Sequence, residues 1–418
     1  MRDATRRAWR RIARVVPVLA GLGLVLAGPT LVYLALGWPR ATLPPVDGGQ
    51  EDSAATAAVP PELAIGLMEV VRAGRMQAGV PSLSAAVAGD EGLAWAGAVG
   101  WADVGQRQPA TIASRYRTGS VAKPVTAVVL MRLAQAGRID LDAPVGPGIP
   151  GLPPALAAVT ARQLASHTAG VRHYTPWPRW WPGWHEAASS RHYESVAAGL
   201  DLFADDPLLF QPGTGFAYST FGYSLLARRM ELATALPFPA LLEQEVFGPA
   251  AMGDSAVDVP APMPARVAFY EGGQGRYVGA RAVDSSYKIA GGGLVSTPAD
   301  LARLGQALLE GRLLASAQRD AMWTSQPLAG GAPNPQGYAL GWRVGQTTRL
   351  SGDGRPLRIV HHGGRQSGAA AFLLLVPDEG LAVAVTSNTG SARGLVEESA
   401  FELARQVLAR RGATAGRD

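Results

Sequence analysis

The sequence predicts an α/β chain of the α+β kind. One antiparallel β-sheet is flanked by helices from both termini, and a mainly helical subdomain is inserted over about 116–289. Three observations predict this. Short alternating apolar runs at 83–88 and 93–101 read as two strands near the start of the domain. Four more, at 338–344, 357–362, 369–376 and 381–387, read as antiparallel strands near its end. Between them the apolar spacing is helical and is broken by Pro/Trp/Gly loops.

Taken in order, residues 1–14 form a basic cytoplasmic stub. An uncharged run over 15–38 follows. At about 1.5 Å per residue, 20-odd helical residues cover a bilayer core of roughly 30 Å, so this run predicts one transmembrane signal anchor. A cleaved signal peptide is the rival reading, but its apolar core runs to only about 7–15 residues. Residues 39–60, rich in Pro, Ala and Gly, predict a flexible linker. The folded domain then spans 61–412. Pro61 opens a helix over about 61–77, since proline suits a first turn. Asp90-Glu91-Gly92 turns the first hairpin. A helix begins at Ser120 and runs to about 136, and another closes the domain over 395–410. There is no internal repeat.

The 418 residues are 47% hydrophobic and 17% charged, the balance of a globular protein. Cysteine is absent, which removes disulfides, thiol nucleophiles and cysteine-based metal sites. The net charge is +5, and residues 1–14 carry six arginines against Asp3, so 6 − 1 = +5 is the whole excess. The charge is thus a basic terminus, and nucleic acid is not an expected partner. Arginines beside an apolar run stay on the cytoplasmic side. The expected location is therefore the bacterial cytoplasmic (inner) membrane, single-pass, with the domain facing the periplasm or exterior.

Of the 38 basic residues only Lys123 and Lys288 are lysine. Arginine cannot lose its proton near neutral pH, so a lysine kept amid arginines points to work that needs a neutral amine. Each has a serine three residues upstream, in Ser120-Val121-Ala122-Lys123 and Ser285-Ser286-Tyr287-Lys288. At least one pair reads as a serine nucleophile with a lysine base. Ser120 starts a helical pattern, where free N–H groups and the dipole favour developing negative charge. Lys123, three residues on, shares its helix face. The bland alternative is a capping serine with a surface lysine. No G-x-S-x-G elbow is present, and no His/Asp/Glu cluster has metal-ligand spacing.

Thr118-Gly119-Ser120-Val121-Ala122-Lys123 resembles the S-x-x-K motif of the serine β-lactamase and penicillin-binding-protein superfamily. Pro212-Gly213-Thr214-Gly215-Phe216-Ala217-Tyr218-Ser219-Thr220 stands where that superfamily has Y-x-N. His361-His362-Gly363-Gly364 stands where it has K-[ST]-G. The stretches Ala161–Tyr174 and Asp284–Gly293 narrow the resemblance to class C β-lactamase-related hydrolases, the mitochondrial serine β-lactamase-like branch and its bacterial relatives. The resemblance covers about 61–411. It implies that Ser120 is the nucleophile, that Lys123 and Tyr218 move the proton, and that Thr220 replaces asparagine. It implies that His361 takes the lysine place and that the N–H groups of Ser120 and Gly364 form the oxyanion hole. Gly363 and Lys288 are read as substrate-binding.

Among the other candidates, His167 and His173 read as structural loop residues. Trp177, Trp180, Trp181 and Trp184 crowd one loop and read as a packed cluster or a lid. The expected function is a membrane-anchored serine hydrolase acting on an ester or amide bond of a small molecule or peptide, with no cofactor and no metal. The alternative is a catalytically quiet, self-assembling scaffold, with a homo-oligomer or filament as its product.

Overall fold

The computed structural model describes residues 41–42, 50–175 and 186–415. Its centre is an antiparallel sheet. We number its strands β1 (Glu51–Ala55), β2 (Ser82–Gly89), β3 (Gly92–Asp103), β4 (Arg343–Thr347), β5 (Leu357–Gln366), β6 (Ala369–Val376) and β7 (Leu381–Ser387), in the spatial order β4-β5-β6-β7-β2-β3-β1. Gln108–Pro109 adds an eighth, two-residue strand on β3. The seam between the two halves is β7 against β2, with Ala382 opposite Ala88 and Thr386 opposite Ser84. The sheet built from both ends of the domain is the predicted one.

The expected flexible linker over 39–60 is corrected in part. Residues Ala41–Thr42 pair with Arg276–Gly279, and β1 pairs with β3 along its whole length. The β3 edge needs partners for its backbone N–H and C=O groups, and Glu51–Ala55 supplies them. Glu51 is also tied by its carboxylate to Arg72. The transmembrane anchor expected at 15–38 lies outside the described residues, as does the loop holding Trp177 to Trp184. Among the described residues no helix is long and apolar enough to cross a membrane.

The strand expected over 338–344 is also corrected: β4 begins only at Arg343. Gly337 and Gly341 sit at φ 56° and 81°, a region open chiefly to glycine, and turn the chain between them. Tyr338, Leu340 and Trp342 are fully buried there, so the alternating apolar pattern belongs to a core-facing loop. This loop presses on the helix that follows Ser120, because a Cβ at Gly341 would lie 2.5 Å from Ala127 Cβ.

We number the main helices α1 (Pro61–Ala78), α2 (Ala122–Gln135), α3 (Thr220–Thr234), α4 (Pro298–Leu309) and α5 (Arg393–Ala415). Helices α1 and α5 cover one sheet face, where Leu67, Val71, Val396 and Leu403 meet Val87, Phe372 and Val383. The other face, with Ala86, Leu373 and Ala384, packs on α4 and on the inserted helices around α2 and α3. Helix α4 has no counterpart in the sequence-based expectation. Thr297 caps it by accepting from the N–H of Asp300, and Pro298 opens its first turn. The sheet edge at β5 and the N-terminal ends of α2 and α3 meet between the two layers.

Candidate active site

Gly119 stands at φ 50° and begins a single 3₁₀ turn, Gly119–Val121, that leads into α2. Ser120 lies in this turn. Lys123 lies one turn further along and is fully buried. Its Nζ donates to the Gly291 carbonyl at 2.6 Å and lies 3.1 Å from Thr220 Oγ1 and 3.2 Å from Ser120 Oγ. The expected Ser120–Lys123 pair is therefore formed. Burial holds the Lys123 ammonium well below the usual lysine range, and the charge of Lys288 adds to the effect.

Tyr218 and Thr220 flank the start of α3. Ser219 between them is the N-cap: its Oγ accepts from the N–H of Gly222 and donates to the Arg172 carbonyl. That cap fixes both neighbours. The Tyr218 phenol hydrogen-bonds Ser120, and burial pushes its pKa upward. Its ring centroid lies 4.6 Å from Lys123 Nζ. Gly291 has to be glycine for Thr220 to approach, since a Cβ there would lie 2.5 Å from Thr220 Cγ2. Ser120, Lys123, Tyr218 and Thr220 thus converge as the sequence suggested.

The strand motif is corrected by one residue. Alternation along β5 sends Leu357, Ile359 and His361 to the α1/α5 face, and His361 stacks on Phe372 at 5.4 Å. His361 therefore faces away from Ser120. His362 points to the site face, where it is buried with its ring 6.3 Å from that of Tyr218. Burial, and then the charge of Lys123, hold His362 well below the usual histidine range. Gly364 packs against the nucleophile turn: a Cβ there would lie 2.0 Å from the Thr118 carbonyl oxygen and 3.0 Å from the Ser120 nitrogen. The next residue, Arg365, passes Gly119 so closely that a Cβ on the glycine would lie 2.7 Å from its nitrogen. Arg365 lines the cleft over Ser120, and Gly363 and Gly364 do not.

That cleft holds about 600 Å³. Lys288 is in its wall, with His173, Tyr174, Glu271, Arg281 and Gln366. None of these neighbours was singled out as a site residue by the sequence, which read His173 as a structural loop residue. His173 and Tyr174 end the stretch Ala161–Tyr174 and Gln366 ends β5, while Glu271 and Arg281 lie far from any motif. The second serine–lysine pair is not a nucleophile and base. Ser285 donates to Asp258 at 2.9 Å and accepts from Gln366 at 2.8 Å. His167 keeps a structural place, its Nδ1 accepting from the N–H of Ser219 at 3.1 Å. His173 Nδ1 accepts from the N–H of Thr220 at 3.3 Å and so holds the start of α3. Among the described residues no group of His, Asp and Glu side chains could hold a metal ion.

The family model described as Beta-lactamase matches residues 67–406, which is most of the chain. The chain belongs to the beta-lactamase family. It is similar to the mitochondrial serine beta-lactamase-like protein of Homo sapiens, with 28% identity over 77% of this chain and 73% of that protein. It is similar to esterase EstB of Burkholderia gladioli, with 30% identity over 42% of this chain and 46% of that one. Among solved structures, the D-amino acid amidase of Ochrobactrum anthropi superposes with a TM-score of 0.69 at 22% identity, covering 84% of this chain and 99% of that one. This beta-lactamase-family chain is a serine hydrolase, which favours the enzyme over the scaffold.

The expected location is corrected by the same relatives. The human, mouse and bovine proteins that match over 77% of the chain are mitochondrial, and a bacterial inner-membrane location facing the periplasm is not supported. Arginines beside an apolar run set an orientation relative to a membrane and do not say which membrane it is.

Proposed function

We propose that the chain hydrolyses an ester or amide bond, including peptide bonds, through an acyl-enzyme on Ser120. One observation carries this reading: Lys123 Nζ lies 3.2 Å from Ser120 Oγ, in a buried setting that favours the neutral amine. A neutral amine has two N–H groups and one lone pair. The Gly291 carbonyl and Thr220 Oγ1 take the two N–H groups, which leaves the lone pair for the Ser120 proton. Tyr218, hydrogen-bonded to the same hydroxyl, offers a second route for that proton.

Ser120 Oγ attacks the carbonyl carbon as its proton passes to Lys123. The oxyanion meets the backbone N–H groups of Ser120 and Arg365. We assign the second donor to Arg365 rather than Gly364 because Arg365 lines the cleft and its nitrogen passes the nucleophile turn, 2.7 Å from where a Gly119 Cβ would lie. The C–O or C–N bond then breaks, and the leaving atom takes the proton through Lys123 and Tyr218. Water adds to the acyl group by the same path and releases Ser120.

Esters and short amides are the preferred substrates over penicillins. The strand position next to the site holds a neutral imidazole in place of lysine, and Thr220 replaces an amide that can both donate and accept. An esterase and an amidase among the proteins the chain is similar to support this choice. A fluorophosphonate probe tests the reading. The adduct is expected on the tryptic peptide carrying Ser120. An adduct at Ser285 with Ser120 unmodified would sink it, and so would penicillin turnover comparable to that of an ester.

A further inference from the structure

Lys288 is 3% exposed and lines the cleft over Ser120. An ammonium has three donors. Here Nζ donates to the Ala187 carbonyl at 2.8 Å, and the Tyr287 and Tyr174 rings flank it at 5.2 and 5.9 Å. Among the described residues no carboxylate pairs with it. The two acids nearest in effect are engaged elsewhere. Asp258 is held by Arg117, Ser285 and Gln366, and Asp284 by His192 and the N–H of Ser286. Buried lysines are almost always paired, so one that lines an open cleft with no counter-ion among the described residues favours a carboxylate brought by a ligand. The rim adds the exposed Arg281 and Arg365 against one lining carboxylate, Glu271, which accepts from the N–H of Gly368.

We propose that Lys288 anchors a carboxylate of the substrate, so that the cleft takes acidic esters and amides. This rests on the hydrolase reading and names its substrate class. The anchor stands on the helical side of the cleft, across from the strand where His362 offers no cation. Arginine could hold the same carboxylate, but it would keep its charge when the cleft is empty. Burial first, then Arg117, bring Lys288 down to about 7, with Asp258 and Asp284 acting the other way. Lys123 from α2 also faces it, as do Tyr174, Tyr287, His173 and the three charged rim and wall groups already named.

The sign follows from linkage. Lys288 is a cation below about pH 7, and a bound carboxylate stabilises that form. Acidic ligands therefore bind best below that pH and take up a proton at or above it. Lys123 acts in the opposite sense, since it must be neutral to accept a proton. Acidic substrates should show a bell-shaped profile, and neutral ones only the rise.

The test uses the full chain with mono-4-nitrophenyl glutarate and its methyl ester as a matched acidic and neutral pair. We expect kcat/KM to favour the acid about tenfold or more at pH 6.5, the size of one charge-assisted hydrogen bond, and the preference to fade by pH 8.5. Lys288→Met should reduce the acid-to-neutral ratio to about one. Lys288→Arg should keep the preference and lose its pH dependence. Melting curves establish that both variants are folded. Calorimetry with glutarate reads binding without turnover: wild type should take up a proton at pH 7.5, and Lys288→Arg should not. An unchanged ratio in Lys288→Met overturns the anchor while leaving the hydrolase reading intact. Glutarate binding that depends on Lys288, with neither ester cleaved, supports the anchor and overturns the hydrolase reading. Glutarate binding that ignores Lys288 overturns the anchor in either case.

Discussion

The Tyr338 phenol donates to Nε2 of His362 over 2.9 Å. The direction is set by the other ring nitrogen, because Nδ1 donates to the Gly363 carbonyl at 2.7 Å and so carries the imidazole proton. Both nitrogens are therefore committed within the core. His362 supports Tyr218 from below as a neutral ring and presents no charge to the cleft.

Replacing His362 with alanine should lower kcat/KM for an ester by about tenfold to a hundredfold, through a displaced Tyr218. His361→Ala should change it by less than about threefold, since His361 stacks on Phe372 on the far face. Steady-state kinetics on both variants check this. Equal losses would contradict the register of β5.

The pH profile for a neutral ester should rise on an acid limb as Lys123 loses its proton. It should reach its plateau far below the ordinary lysine value of about 10.4, because burial depresses this amine. Lys123→Arg should abolish fluorophosphonate labelling although the charge is kept, since a guanidinium cannot serve as the base. A plateau reached only near pH 10 would show that the amine is not depressed.

Gly364→Ala should be far more damaging than Gly363→Ala. At Gly364 the new Cβ would lie 2.0 Å from a backbone oxygen, and at Gly363 the nearest atom is a Phe372 ring carbon at 3.3 Å. Forcing β5 off the nucleophile turn should cost about 1–3 kcal/mol and most of the activity. Denaturant unfolding and ester turnover on the two variants distinguish the positions.

Asp258→Asn should destabilise the fold by about 3–5 kcal/mol, because Arg117 would be left buried without its counter-charge. Ser285→Ala, which removes one hydroxyl from the same network, should cost only about 1 kcal/mol and leave labelling at Ser120 intact. Chemical denaturation with parallel labelling measures both effects.

The sheet was legible because strands buried on both faces read as short, nearly continuous apolar runs of strand length, as at 369–376 and 381–387. The loop at Tyr338 escaped because its alternation is real but serves a turn, and only the φ values of Gly337 and Gly341 reveal that. The nucleophile, its lysine and the Tyr218–Thr220 corner were readable because each lies in a short local motif. The strand motif was ambiguous because two histidines precede two glycines, so it fits in two registers. Only the 2.0 Å approach at Gly364 selects the second register and brings Arg365 over the nucleophile. Glu271 and Arg281 carried no local signature, since segments distant in sequence bring them to the cleft.

The seam between β2 and β7 has a consequence for biosynthesis. A ribosome delivers Ser120 and Lys123 long before the strand that covers them. The 245 residues from Ser120 to Arg365 take roughly 12–50 s at about 5–20 residues per second. Until Leu381–Ser387 arrives, β2 lacks its neighbour across the seam, and the β4-β5-β6 half of the sheet has no link to it. Under the proposed mechanism the nascent chain therefore carries a nucleophile before β5 is fixed beside it, and its reactivity waits for the seam to close.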